Sequence, residues 1–378
     1  MKVAQYQWSE SLGWKPGPPG RLGESAQLVL LFGSTKLIKA RTHVEEIRRL
    51  YPKALLFGCT TAGEIYGVEV ADSSLSMTAV SFEHSSVRET HIPLTDAGMS
   101  HAVGRDIARS LDAQGLNHVF LLSPGLGVNG SELVRGVAEG LPAGVTASGG
   151  LAGDADRFQE SYVLCENAPT PNAVSAIGFY GDRLHVGYGS GTGWNPFGTD
   201  RIITKSKGNV LYEFDGRSAL TLYKQYLGEH ARGLPATALL FPLSVGLGND
   251  AQRVIRTILS VSEADRSMTF AGDIPEGCSA RLMHSNVDHL VDGAHAAAIA
   301  SVGMMEDSPD LAILVSCVGR KLVMKQRTEE EVEVVREVTG EKAVLTGFYS
   351  YGEVAPFVGG GLPEFHNQSM TVTAFLEK

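Results

Sequence analysis

The sequence predicts a mixed α/β (α+β) protein that is internally duplicated, with mostly antiparallel or mixed sheets packed on each other and helices outside, an α/β/β/α-like arrangement. Three observations predict it. Patterning gives roughly fifteen strands but only about seven helices, too few to cover both faces of every sheet. Glycine-punctuated apolar runs between residues 161 and 204 have the spacing of antiparallel hairpins and meanders. The order strand, helix, strand, Gly-Glu turn occurs near both ends of the chain, and Gly58 to Gly347 and Gly63 to Gly352 are separated by the same 289 positions.

Taken in order, residues 1–26 hold Trp8, Trp14 and the run Pro16-Gly17-Pro18-Pro19-Gly20, and read as an irregular arm on a domain surface. Gln27 to Gly33 reads as an apolar strand. Ile38, Val44, Ile47 and Leu50 have helical spacing, and Pro52 stops that helix before a strand over 54–58. A strand over 74–83, a helix over 101–111, a strand over 118–123 and a helix over 131–140 follow, then Val145 to Gly149 enters a looser copy of the turn, Ala147 to Asp154. After four hairpin-type strands, Asp215 is placed to cap a helix over 218–227. The second half reads as a strand over 238–241, hairpin segments over 254–261 and 267–271, and a strand over 280–283. Next come a helix over 287–302 capped by Ser285 or Asn286, a strand over 311–318, a helix over 328–338 with Glu329-Glu330-Glu331 in its first turn, a strand over 343–347 and a closing strand over 370–376. Ser76-Met77-Thr78 and Ser369-Met370-Thr371 add a short match to the repeat.

A chain of 378 residues exceeds what one core usually serves. The division predicted is an arm at 1–26, a first domain at 27–216 and a second at 217–378. Charged residues at 20% and a mean hydropathy near zero describe an ordinary globular chain, and no long apolar span signals a membrane helix. A net charge of −10 without a basic, aromatic-interleaved run disfavours nucleic acid. The first residues lack a secretory signal pattern, which predicts a cytoplasmic protein. Cys59, Cys165, Cys278 and Cys317 form no Cys-x-x-Cys pair, so neither a zinc knuckle nor a dithiol motif is signalled.

The chemistry-bearing candidates centre on the two Gly-Glu turns. Cys59 with Glu64 could serve as nucleophile and acid or base, but no histidine is near in sequence, and Phe348 stands where Cys59 does, so the thiol is not part of the repeated design. The chain is accordingly read as no enzyme. Two readings stay open for the turns: pure turn structure, with Gly63 and Gly352 supplying positive φ and the carboxylates accepting backbone N–H bonds within the turn, or the wall of a ligand pocket. In the second, Cys59, Thr60, Thr61, Gly63, Glu64, Tyr349, Ser350, Tyr351, Gly352 and Glu353 supply the lining. Gly125-Leu126-Gly127-Val128-Asn129-Gly130 fits a dinucleotide fingerprint literally, but Pro124 before it and antiparallel strands after it favour a plain strand-to-helix turn. Of eleven histidines, His289 and His295 are six apart and cannot share a metal as i, i+4 residues do. His284, between a strand end and a helix cap, is the one candidate for a haem-iron ligand.

Residues 58–65, 149–154, Gly193-Trp194-Asn195-Pro196, Arg281-Leu282-Met283 and 347–356 together resemble the FIST family, sensory modules with an N-terminal and a C-terminal FIST region, over about residues 27 to 360. The resemblance implies an intracellular sensor that binds a small ligand and passes the signal to a partner protein. With no fused kinase, cyclase or receiver region, the chain looks like a stand-alone version. It also implies two ligand classes: amino acids or related metabolites, or haem in a nitric oxide sensor controlling a histidine kinase. Oligomer formation is left open.

Overall fold

The computed structural model describes residues 1–357 and 361–378. Its first unit runs β1 (Lys2–Ser9), β2 (Gly13–Lys15), β3 (Leu28–Gly33), α1 (Thr35–Ala40), α2 (Thr42–Leu50), β4 (Leu55–Thr60), β5 (Glu64–Tyr66), β6 (Glu69–Ala71) and β7 (Leu75–Ser81). The second runs β8 (Ser86–Pro93), α3 (Ser100–Ser110), β9 (Leu116–Ser123), α4 (Gly130–Gly140), β10 (Thr146–Leu151), β11 (Val163–Cys165), β12 (Ala168–Thr170) and β13 (Ala173–Tyr180). The third opens with β14 (Leu184–Gly191) and is then interrupted by an inserted domain. That insert comprises β15 (Asn195–Lys207), β16 (Val210–Phe214), β17 (Arg217–Ser218), α5 (Ala219–Leu227), β18 (Leu243–Leu247), β19 (Asn249–Arg256), β20 (Ile258–Ser262), β21 (Ser267–Phe270) and β22 (Ser279–His284). The third unit resumes with α6 (Val287–Val302), β23 (Leu311–Cys317), α7 (Val318–Met324), α8 (Glu330–Thr339), β24 (Val344–Ser350), β25 (Gly352–Pro356), β26 (Pro363–His366) and β27 (Met370–Glu377).

The three units build three sheets of one design, β12-β11-β4-β3-β7-β1-β2, β26-β25-β10-β9-β13-β8 and β6-β5-β24-β23-β27-β14. Each has one parallel pair joined through helices: Leu31 opposite Gly58, Leu121 opposite Gly149 and Leu314 opposite Gly347. The glycines are required by contact, since a Cβ on Gly58, Gly149 or Gly347 would lie 1.8–1.9 Å from the carbonyl oxygen of its leucine partner. After each parallel pair the chain leaves its own sheet. The β5–β6 hairpin joins the third sheet, β25–β26 the second and β11–β12 the first, so the exchange closes in a ring.

The inner faces of all three sheets meet in one core. Aromatic pairs join them two by two: Phe32 with Phe348 at 4.7 Å, Phe57 with Phe120 at 6.4 Å and Phe179 with Phe375 at 4.8 Å. Each such pair contributes about 0.5–1.5 kcal/mol beyond its burial. Helices cover the outer faces, with Val44 and Ile47 of α2 packed on Val29 and Leu31 and with Val137 of α4 on Leu121. Strands buried on both faces explain the unbroken apolar run Leu28 to Phe32. The fold is thus mixed α/β with repeated units and outer helices, and the looser turn copy is a full third member of the repeat.

Strand pairing also re-aligns the copies. Met77 and Val372 hold the same place, opposite Leu31 and Leu314, so Ser74 corresponds to Ser369 and the Ser-Met-Thr match is two residues out of register. Residues 2–9 are not an irregular arm but strand β1 against β7, Trp8 facing Leu75. The single helix predicted through Ile38, Val44, Ile47 and Leu50 breaks at Arg41, whose φ is 62°. Residues Ala236–Leu240 form a 3-10 helix instead of a strand. Ser218, accepting from the Thr221 amide, caps α5 in place of Asp215, which instead holds the Ile202 amide. The strand exchange carries β5 and β6, from the stretch 27–216, into a sheet with β24 from 217–378. No described helix is long and apolar enough to cross a membrane.

Candidate functional site

The Gly-Glu turns close on themselves. The Glu64 carboxylate accepts from Thr61 Oγ1 (2.5 Å), Ser74 Oγ (2.7 Å) and the Ser74 amide (3.0 Å). The Glu353 carboxylate accepts from Ser350 Oγ (2.7 Å), Ser369 Oγ (2.8 Å) and the Ser369 amide (3.1 Å). Both are buried, and burial outweighs the donated bonds to push each carboxyl up to about 7. Each glutamate staples its turn to the strand that returns antiparallel to the unit's first parallel strand. Neither is turned outward to a ligand's ammonium.

The second unit has no such staple. Ala155 stands in the glutamate position and Ala173 in the serine position, as the pairings of Gly149 and Ala176 with Leu121 fix. Asp154 takes the place of Gly63 and accepts from Thr35 Oγ1 (2.6 Å) and the Arg157 guanidinium. Burial opposes its ionisation, yet Arg157 and Thr35 outweigh this and hold the carboxyl below its usual range. The chain from 154 to 158 is an irregular bulge after β10, with Ala155 and Phe158 at φ of 51° and 52° and the Ala155 amide donating to Thr61 O (3.1 Å). Its far side is pinned by Tyr351, whose hydroxyl accepts from the Phe158 amide (3.1 Å) and donates to Ala155 O (3.2 Å), with the two rings stacked at 4.2 Å.

Between this bulge, the Thr61–Glu64 turn and α7 lies a cleft of about 490 Å³. Lys321 of α7 reaches into it: Nζ donates to Ala62 O (2.9 Å), pairs with Asp72 and stands 5.6 Å from the Tyr349 ring. Of the two turn glycines, Gly63 has the predicted positive φ, 147°, a conformation L side chains rarely adopt, whereas Gly352 does not. Arg157, Asp156 and Lys325 complete the charged lining. The Tyr349 hydroxyl faces away from the cleft, donating to Glu331 (2.6 Å), which Arg320 holds in a fully buried ion pair at 2.7 Å. That network fixes the cleft floor.

Of the predicted lining residues, Thr61, Gly63 and Glu64 border the cleft, and Tyr349 and Tyr351 support it from behind. Cys59 lies in the central core, where burial pushes its thiol well up, and Thr60 Oγ1 accepts from the Tyr162 amide (3.0 Å). Ser350, Gly352 and Glu353 are buried in the third unit's staple, and a Cβ on Gly352 would meet the Phe365 ring at 2.5 Å. Sequence reasoning missed Lys321, Arg157 and Asp72. Lys321 sits on α7, a helix that begins directly at the end of a strand with no side-chain cap to announce it.

His284 is exposed at the end of β22 with its ring edge-on to Phe197 at 5.9 Å, so its surroundings do not fit an enclosed haem. The buried His118 spends both ring nitrogens on Thr146 and Ser148, each at 2.8 Å, and burial lowers it to about 3. Among the described residues no cluster of three or more His, Cys, Asp or Glu could hold a metal. The Gly125–Gly130 run is a packing turn: a Cβ on Gly125 would lie 2.0 Å from Ala152 O, and Asn129 caps α4 through the Glu132 amide.

Comparison with solved structures gives a cyanuric acid hydrolase from A. caulinodans at 9% identity and TM-score 0.39, covering 100% of this chain and 99% of that one. It also gives a chorismatase at 7% identity and TM-score 0.34 (99% and 98%) and a second cyanuric acid hydrolase structure at 10% and 0.30 (99% of each). These enzymes overturn the reading of the chain as no enzyme, while a likeness this distant gives this chain no activity. No curated protein matches the sequence. The FIST N domain matches residues 27–217 and the FIST C domain residues 219–356. The chain belongs to the FIST family, whose domains are small-ligand sensory domains of signalling proteins.

Proposed function

We propose that the cleft between the Thr61–Glu64 turn, the 154–158 bulge and α7 is the ligand-sensing site of a cytoplasmic sensor, and that its ligand carries both an acid and an amino group, as amino acids do. Occupancy is then passed to a partner signalling protein such as a histidine kinase. The observation that carries this reading is the Lys321–Asp72 pair beside the backbone carbonyl of Ala62. A zwitterion can exchange with both members at once, its carboxylate meeting Lys321 and its ammonium Asp72, so that no charge is left unpaired. Arg157, Lys325 and Asp156 add one more acid and two more bases within the same walls. A haem-based nitric oxide sensor would need an iron ligand facing an enclosed chamber, which His284 does not, so sensing is not routed through that residue.

A thermal-shift screen of the amino acids tests the proposal. A ligand at 100 times its dissociation constant adds about 2.7 kcal/mol to stability. Lys321→Ala should abolish the shift by the ligand found, with unfolding of the free protein changed by less than about 1 kcal/mol, since the side chain borders solvent. A full screen without any shift, or a shift that Lys321→Ala leaves intact, would overturn the proposal.

A further inference from the structure

The charged cleft continues into a second chamber of about 630 Å³, and the two share Asp156, Arg157 and Leu322 in their walls. The second chamber has a different character. Its lining is apolar, with Phe158, Leu234, Leu239, Ile258, Leu259 and Leu322 prominent. Phe158 and Leu322 belong to the three-unit body, and the other four to the inserted domain. Both sides are preformed. Phe158 is clamped by the Tyr351 ring and hydroxyl, and Leu239 is tied to the body through its carbonyl, which accepts from Gln368 Nε2 at 2.9 Å. Leu259 is among the chain's exposed large apolar residues, 37% accessible. Apolar surface left open in a concave wall beside a few charged groups is the usual arrangement of a small-molecule site.

We infer that the ligand is amphipathic: a zwitterionic head in the charged cleft and an apolar tail in the chamber between body and insert. This rests on the reading of the cleft as an amino-acid-type site and narrows it to α-amino acids with long aliphatic or aromatic side chains. The tail touches both bodies, so binding fixes the insert against the three-unit core. Small polar amino acids leave the chamber unfilled and bind weakly.

Calorimetry with straight-chain α-amino acids, from 2-aminobutyrate through norleucine to 2-aminooctanoate and 2-aminodecanoate, tests this directly. Affinity should rise about fourfold for each methylene buried. Leu259→Asp, at a site already open to solvent, should flatten the series to the affinity of its shortest member, and Leu259→Met should retain the slope. If short members bind with Lys321-dependent affinity but length adds nothing, the amphipathic inference falls and the charged site stands. A slope undiminished in Leu259→Asp also overturns it, by placing the tail elsewhere. If no member of the series binds, the reading of the cleft itself fails.

Discussion

The first and third turns of the repeat are closed by buried glutamates, whereas the second has an alanine in that place and opens into the cleft. The scaffold beneath all three is the same: a glycine packed on a leucine carbonyl, a parallel strand pair, and a hairpin handed to the neighbouring sheet. What differs is one hydrogen-bonded group and its serine partner. Where Glu64 and Glu353 bind Ser74 and Ser369, the carboxylate is used up inside the turn, and the first turn meets the cleft as a closed wall. Where Ala155 and Ala173 replace them, the chain bulges and Asp154 turns to Thr35 and Arg157 instead. In this chain the repeated scaffold thus keeps two turns stapled and leaves one without a staple.

Removing a staple should have the largest effect. Glu353→Ala leaves the Ser369 hydroxyl and amide without their acceptor, and the Ser350 hydroxyl with only Ser316 O at 3.3 Å, in a site closed to water. Each unsatisfied buried group costs about 1–3 kcal/mol, so urea unfolding should show a loss of about 3–5 kcal/mol, and Glu64→Ala a loss of the same size. A loss under about 1 kcal/mol in either would show that the turn does not depend on its carboxylate.

The staples also give stability a pH dependence opposite in sign to that of Asp154 in the second turn, whose lowered carboxyl loses stability only in acid. Each glutamate has a folded value of about 7 against 4.5 for the free group, so the folded chain holds more protons between those values. The contribution is fully present below pH 4.5 and is lost as pH rises through 7. It amounts to about 3 kcal/mol per carboxyl at 1.36 kcal/mol per unit. Glu89, also raised to about 7, acts in the same direction, and Glu377, held down to about 2, acts oppositely but only below pH 4.5. The difference between the parent and the Glu64→Gln/Glu353→Gln double variant isolates the pair. The parent's stability should fall relative to the variant's from pH 4.5 to 7, and parallel curves would break the comparison.

How much of this was legible beforehand follows from what each feature depends on. Strand-end glycines and the Gly-Glu pairs could be found because contact and turn geometry demand those residue types locally. The second copy was seen only as a loose echo, because its signature residues, Ala155 and Ala173, are what is left when the staple is lost. The serine partners were misaligned because the third unit carries a hairpin six residues longer between turn and strand, and only pairing across the sheet corrects for that. Lys321, Arg157 and Asp72 come from three separate stretches joined by the ring of exchanged hairpins. No periodicity within one segment could announce their meeting.

Placing a carboxylate in the open turn should have the smallest effect on stability and so sharpens the comparison most. In Ala155→Glu the new side chain finds no serine, since Ala173 stands at the partner position, and Asp154 remains committed to Thr35 and Arg157. It therefore extends into the cleft beside Asp156, where Ala155 already borders the space. A partly exposed position without a buried partner changes stability by about 1 kcal/mol or less. The added charge competes with a ligand carboxylate for Lys321 and Arg157, so the amino-acid thermal shift should vanish while urea unfolding barely moves. A destabilisation as large as that of Glu353→Ala would mean that the second turn is as tightly closed as the other two, and that the cleft does not owe its opening to the missing staple.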